Sequence, residues 1–294
     1  MTTASAAIFC TGLRLPEGPV LLPDGSWLVT ELARARGCVT HIDPSGQEKR
    51  IVARTGRPNG LAVDREGVVW VAESLHASVV RLTLDGSQET WATTCGSEPL
   101  LWPNDICIGP DGDLFVTDSG IRVTEFLDGD AARPDALSLA LNGKVCRFDA
   151  ETRAGEVIDR GLQFANGIAF GPDGALYANE TMTGNVYRYD LDGGAERELY
   201  GNVLDPDCDY QGLRGPDGMK FGASGRLYVA VFGQGDVTVL GLDGEVVARH
   251  RAAGLSPTNL AFGPPGSRQA YVVEDENGQI QVLDVDDDGL PLHG

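Results

Sequence analysis

Residues 165–180 read ANGIAFGPDGALYANE. A polar residue, Asn166, opens a short apolar run. Gly-Pro-Asp-Gly then makes a turn, and a second apolar run ends on an acid, Glu180. Two short runs rich in Ile, Phe, Leu and Tyr around a Gly-centred turn read as paired antiparallel strands. Residues 104–118, NDICIGPDGDLFVTD, repeat the pattern, and looser copies run along the whole chain. The copies start at Pro16-Glu17-Gly18, Pro58-Asn59-Gly60, Pro103-Asn104-Asp105, Ala165-Asn166-Gly167, Pro216-Asp217-Gly218 and Pro257-Thr258-Asn259. Their central residues are spaced 42, 45, 62, 51 and 41 apart.

The second copy continues past its first two strands. A short loop, SLHA, leads to SVVRLTL, a DG turn and QETWATT, which adds a third and a fourth strand. Four strands in roughly 45 residues make a propeller blade, and repeats are read before any other fold signal. The chain is therefore expected to be all-β, a six-bladed β-propeller with four-stranded blades forming a single domain over residues 1–294. The sixth copy lacks a fourth strand, while AAIFCTGLRL at residues 6–15 precedes the first copy without a blade of its own. This N-terminal strand is expected to close the last blade. Strands alternate in direction, so the start of each first strand shares a face with the loop between the second and third. The long segments 118–143 and 201–216 therefore belong on that face, where loops on a rigid scaffold shape a site.

The formal charge of −20 excludes nucleic acid and anionic membrane as natural partners. No apolar run approaches the roughly 18–20 residues of a membrane span. The N-terminus has no basic stretch followed by a long apolar one, so no signal peptide is expected. The six cysteines show no CxxC spacing and read as reduced thiols of a cytoplasmic protein, a monomer or homodimer. The four histidines show no zinc spacing, and there is no HExxH, GxSxG, P-loop or dinucleotide fingerprint. Asp284-Val285-Asp286-Asp287-Asp288-Gly289 matches half of an EF-hand loop. The bidentate acid at its twelfth position would fall beyond the sequence, so it reads as an acidic turn.

The six central residues are Glu17, Asn59, Asn104, Asn166, Asp217 and Thr258. Each alone reads as a polar group satisfying the backbone at a strand start. As a set they differ while their neighbours repeat, and a ring would bring them to one axis. Carboxylates and amide carbonyls at Glu17, Asn104, Asn166 and Asp217 are hard oxygen donors suited to a divalent ion. Ca²⁺ is expected first, with Mg²⁺, Mn²⁺ or Zn²⁺ as alternatives. Four or fewer protein ligands leave coordination places open, as metal-assisted hydrolysis needs. Asn59 and Thr258 complete the channel lining. The recurrent acids Glu31, Glu73 and Glu180, which end second strands, read as structural, and Asp118 as a partner for the long loop's backbone.

EGPVLLPDGSWLVTE (17–31), PND (103–105), ANGIAFGPDGALYANET (165–181) and GPDGMKFGASGRLYVA (215–230) together resemble motifs of the senescence marker protein/gluconolactonase family, which includes regucalcin-like and luciferin-regenerating-enzyme-like proteins. The likeness spans nearly the whole chain. It implies a metal-dependent lactonase: Glu17, Asn166 and Asp217 as metal ligands, Asp217 also as catalytic base, and Asn104 on the substrate side. Asp105 beside it is a candidate substrate or relay carboxylate. The family's sugar-acid lactonases often carry arginine two residues before the blade-3 asparagine, where this chain has Trp102. An indole offers an apolar face and one N–H, so Trp102 is expected either to contact an aryl or alkyl lactone as readily as a sugar lactone, or to pack under a loop. The expected activity is opening of a lactone to a hydroxy acid. The alternatives are a phosphotriesterase-like hydrolase and a non-catalytic calcium-binding propeller.

Overall fold

Each repeat folds into one antiparallel four-stranded sheet whose strand order follows the chain. The structure, a computed structural model, describes residues 7–294. Inner strands are Pro16–Leu21, Pro58–Val63, Pro103–Ile108, Ala165–Phe170, Gly215–Phe221 and Pro257–Phe262. These six strands pack side by side around a central channel. Ala7–Thr11 pairs antiparallel with Gln279–Asp284 and supplies the fourth strand of blade 6. The first and last parts of the described chain thus share one sheet, as the missing fourth strand requires. Ala6, the first residue of the expected closing strand, lies outside the described residues.

The sequence pattern fixes the turns locally. In blade 3 the Gly109 N–H donates to the Asp113 carbonyl at 2.8 Å, and Gly112 takes φ +91°. Gly174 repeats that conformation in blade 4 with φ +78°. Side chains rarely adopt such angles, which is why GPDG recurs there.

Packing follows from alternation along the strands. Six apolar clusters form, one between each pair of neighbouring blades. At the closure Phe9 of the N-terminal strand meets Tyr271 edge-on at 5.2 Å, and Tyr271 lies 4.4 Å from Trp27 of blade 1. Trp27 is buried and Phe9 and Tyr271 are partly buried against it, so ring closure is held by core packing as well as by strand pairing.

Pairing of inner and second strands is irregular just after the strand start in all six blades. Such a bulge turns the chain locally and re-aims side chains. The residue after the central one is Gly in four blades. In blades 3 and 6 it is Asp105 and Asn259. A Cβ on Gly60 would collide with Asp105 Oδ1, and one on Gly218 with the Asn259 amide. Two glycines thus make room for two polar side chains of the neighbouring blades.

The segment after Asp118 carries a short helix, Val123–Phe126, a small hairpin of Leu127–Asp128 with Ala131–Ala132, and a single 3-10 turn at Ala136–Ser138. It packs through Val123, Phe126 and Leu141 onto Trp102 and Phe164. The other long connection lies between Asn202 and Gly215. Both lie over the same end of the channel. The acidic run 284–289 works as a turn: Asp287 accepts from the Ser224 backbone at 3.1 Å, and Asp288 from those of Gly266 and Arg268 at 3.0 and 3.2 Å. Beyond it, residues 290–294 cross the far end of the channel, with the Leu290 N–H on the Phe221 carbonyl at 2.9 Å. Nothing in the sequence reading anticipated that cover. Among the described residues no helix is long and apolar enough to cross a membrane. All six cysteines are unpaired, and four of them are buried.

Candidate metal centre

The channel opens under the two long loops into a cavity of about 550 Å³. All six central residues, Glu17, Asn59, Asn104, Asn166, Asp217 and Thr258, line its floor. The bulge at each strand start aims these side chains at the axis.

The amides of Asn104 and Asn166 are held in one orientation by a simple count of protons. Asn104 Nδ2 donates to Ser119 Oγ at 2.9 Å, and Ser119 Oγ donates its own proton to the Ala165 carbonyl at 3.0 Å. Asn166 Nδ2 donates to Thr181 Oγ1 at 3.0 Å, and that hydroxyl donates to the Pro216 carbonyl at 2.8 Å. A hydroxyl has one proton. Spent on a carbonyl of the next blade, it leaves only acceptor capacity for the asparagine. Each Nδ2 therefore faces the wall, and Oδ1 of both asparagines is buried with no hydrogen-bond partner. Loss of these hydroxyls is a testable step. Ser119→Ala and Thr181→Ala are each expected to weaken divalent-ion binding several-fold, about 1 kcal/mol. Titration calorimetry on the single and double variants checks this.

Glu17 Oε2 accepts from the Gly18 N–H at 2.7 Å, and Oε1 from Asn259 Nδ2 at 3.1 Å. Burial, together with the nearby Asp105 carboxylate, pushes its pKa up to about 8. Burial and the facing Glu17 likewise hold Asp217 well above the usual carboxylate range. Asp217 keeps some accessible surface because it faces the lumen. Thr258 Oγ1 donates to the Pro16 carbonyl at 2.8 Å and so ties blade 6 to blade 1.

A third carboxylate was not foreseen. Asp275 also lines the cavity, with Oδ1 buried and unpaired, and burial beside Glu17 raises its pKa well above the usual range. It occupies in blade 6 the place that Ser119 and Thr181 occupy in blades 3 and 4, directly after the acid that ends the second strand. Across the six repeats that place reads Leu32, Ser74, Ser119, Thr181, Phe232 and Asp275. It varies as the central position does, so the same test of repeat against variation would have found it. The acids before it do structural work. Glu31, Glu73, Asp118, Glu180 and Glu274 each accept from the backbone N–H of the segment leading into their own blade, at 2.6–3.3 Å. Asp118 also takes the Gly120 N–H of the long segment at 2.8 Å.

Asp105 is 1% exposed and lies beneath the floor, outside the cavity lining. Its Oδ1 accepts from the Ile106 N–H at 2.9 Å, and burial raises its pKa. The charge of Lys220, at the far end of the channel, partly offsets Glu17 and Asp105. Lys220 has room because its counterparts in blades 2, 3, 4 and 6 are the small Ala62, Cys107, Ala169 and Ala261. Trp102 packs under the long loop, one of the two places expected of it. It lines the cavity, and it packs edge-on against Phe126 and Phe164 at 5.7 and 5.2 Å. Its Nε1 is buried without an acceptor.

Among the described residues, eight buried side-chain N or O atoms lack a partner, and five belong to this cavity. Such groups cost about 1–3 kcal/mol each when left unmade, so their concentration at one place marks a site built for a polar occupant. No group of three or more His, Cys, Asp or Glu is close enough to hold an ion among the described residues. The donor set here is different, two carboxylates and two oriented amide oxygens. That is oxygen chemistry suited to a hard divalent cation.

The fold and floor together define a six-bladed propeller with an oxygen-lined axial site. Residues 85–275 match the family model described as SMP-30/Gluconolactonase/LRE-like region. The chain belongs to that family. It is 26% identical over 280 residues to a gluconolactonase of Zymomonas mobilis, covering 88% of this chain and 76% of the relative. It is 26% identical to strictosidine synthase-like protein 13 of Arabidopsis thaliana over 69% of this chain, and spans about half (49%) of that relative's length. Its fold superposes on regucalcin from Agrobacterium tumefaciens, titled a calcium-binding protein, with a TM-score of 0.77 at 19% identity, covering 99% of this chain and 97% of that one.

Proposed function

We propose that this protein is a metal-dependent lactonase that opens a cyclic ester to a hydroxy acid. The observation that carries the proposal is the pair of oriented, unpaired oxygens on Asn104 and Asn166 on the same cavity floor as the buried carboxylate of Glu17 and the lumen-facing one of Asp217. The lactonase name of the Zymomonas relative supports the ester class.

Glu17, Asn166 and Asp217 would hold the ion, with Asn104 adjacent, and Ca²⁺ suits this all-oxygen set. A divalent cation bound there would polarise an ester carbonyl and offset charge developing on its oxygen. The protein's own groups do the rest. Trp102, Phe126 and Phe164 form an apolar wall that seats the ring of a small lactone and excludes water from one side. Asp217 faces the lumen and is the base that accepts a proton from the attacking water. The proton is later returned to the leaving alkoxide oxygen. Asp105 lies one layer down, and its carboxyl group adds to the upward push on the Glu17 pKa.

The test is lactone hydrolysis by chelator-stripped protein with Ca²⁺, Mg²⁺, Mn²⁺ or Zn²⁺ returned singly, over a panel of sugar and aryl lactones. Restoration of turnover by one ion is expected. Tight ion binding without turnover of any lactone would overturn the hydrolytic reading and leave a binding propeller. Ion binding alone is expected to raise thermal stability. At a hundredfold excess over Kd the gain is about 2.7 kcal/mol, several degrees in Tm for a chain of this size.

A further inference from the structure

Two parts of the cavity wall differ in chemistry. Blades 3 and 4 contribute Trp102 and Phe164. Blades 2 and 6 contribute Arg57 and Asp275. Arg57 stands two residues before Asn59, the place in its repeat that Trp102 holds in blade 3.

The guanidinium, 12% exposed, is committed on one side only. Nη1 donates to the Leu32 carbonyl at 2.9 Å and meets Asp130 Oδ1 at 3.5 Å. Asp130 sits at the end of the small hairpin over the cavity and also accepts the Arg34 N–H at 2.9 Å, so it is anchored twice. Nε is buried and has no partner. Together with Nη2 it forms the planar edge that donates to two oxygens side by side. Asp275 offers the complement, a buried Oδ1 that accepts nothing. Arg57 and Asp275 influence each other's charge but form no ion pair. A donor and an acceptor left without partners on two residues that line one cavity match hydroxyl groups, which accept from the first and donate to the second. A carboxylate would satisfy Arg57 but meet repulsion from Asp130, Asp275 and Glu276, which line the same cavity.

We propose that Arg57, through its Nε–Nη2 edge and with Asp275 as acceptor, is the residue that determines specificity for lactones bearing vicinal hydroxyl groups. The substrate part of this inference rests on the lactonase reading, whereas the binding chemistry does not.

Kinetics of the Ca²⁺-loaded protein on D-glucono-1,5-lactone and on δ-valerolactone, the same ring without hydroxyls, test it. In Arg57→Met, kcat/KM for the hydroxylated lactone is expected to fall about 100-fold, mainly through KM, while that for δ-valerolactone changes less than about threefold. Arg57→Lys is expected not to restore the loss, because an ammonium lacks the paired donors. Asp275→Asn, a second variant with its shape kept, is expected to lose about tenfold on the hydroxylated lactone only. Equal losses on both lactones, or wild-type kinetics in Arg57→Lys, would overturn the assignment. Calorimetric titration with the neutral polyol D-glucitol separates the two readings. If wild type opens neither lactone but binds glucitol in an Arg57-dependent way, the subsite stands and the hydrolytic reading fails. Glucitol binding that is absent, or unchanged in Arg57→Met, overturns the subsite.

Discussion

Asp217→Asn is expected to lower kcat/KM for lactone hydrolysis by about 10³-fold or more, the scale of losing a charged group that acts on the developing transition state. The substitution keeps shape and removes one charge. It takes away the lumen-facing carboxylate that accepts the proton, and one of the two charges that offset a divalent ion. The backbone around it stays held. The Pro216 carbonyl accepts from Thr181 at 2.8 Å and the Asp217 carbonyl from Asn179 Nδ2 at 2.7 Å, and neither bond involves the Asp217 side chain. A fold unchanged by circular dichroism, with activity lost and ion affinity weakened, is the expected set of results. Near-wild-type turnover in this variant would remove Asp217 from the mechanism and return the question of the base to Glu17.

Glu17→Gln is expected to stabilise the ion-free protein while removing its response to the ion. The sign follows from the raised pKa. The Glu17 carboxyl has its usual pKa of 4.5 when unfolded and is pushed up to about 8 when folded. Between those values the folded state binds more protons than the unfolded one, so ion-free stability falls as pH rises. The stability is fully present below about pH 4.5 and is lost through about pH 8. Asp217 and Asp275 shift in the same direction and add to the slope. A bound cation reverses it, because ionised carboxylates then meet a positive charge. Chelated wild type is thus expected to lose Tm between about pH 5 and about pH 8, within this window. The gain in Tm from added Ca²⁺ is expected to grow over the same interval. Glu17→Gln should flatten the first trend and abolish most of the second. Differential scanning calorimetry with and without chelator measures both. Ion-free stability that rises with pH would contradict the picture of crowded, buried carboxylates.

Much of this was open to reading in the one-dimensional chain. Six repeats, their turn chemistry and the unpaired early strand specify blade number and closure, because strand pairing and Gly-rich turns are local rules. The variable residue at each strand start marks the floor of the site, since repeat symmetry brings equivalent positions to one axis. Arg57 and Asp275 escaped notice for a different reason. Arg57 lies two residues before Asn59, and Asp275 directly after Glu274, an acid that ends a second strand. Their importance comes from what they fail to touch, and an unpaired Nε or Oδ1 has no signature in sequence.

The ring, its closing strand and the oxygen donors at its centre follow from periodicity and residue chemistry along the chain. Which way the asparagine amides face, which carboxylates crowd each other, and that Arg57 Nε is left without a partner follow from the folded arrangement. These depend on hydrogen bonds between neighbouring blades and on distances across the channel. Such distances are set by packing of residues far apart in the chain.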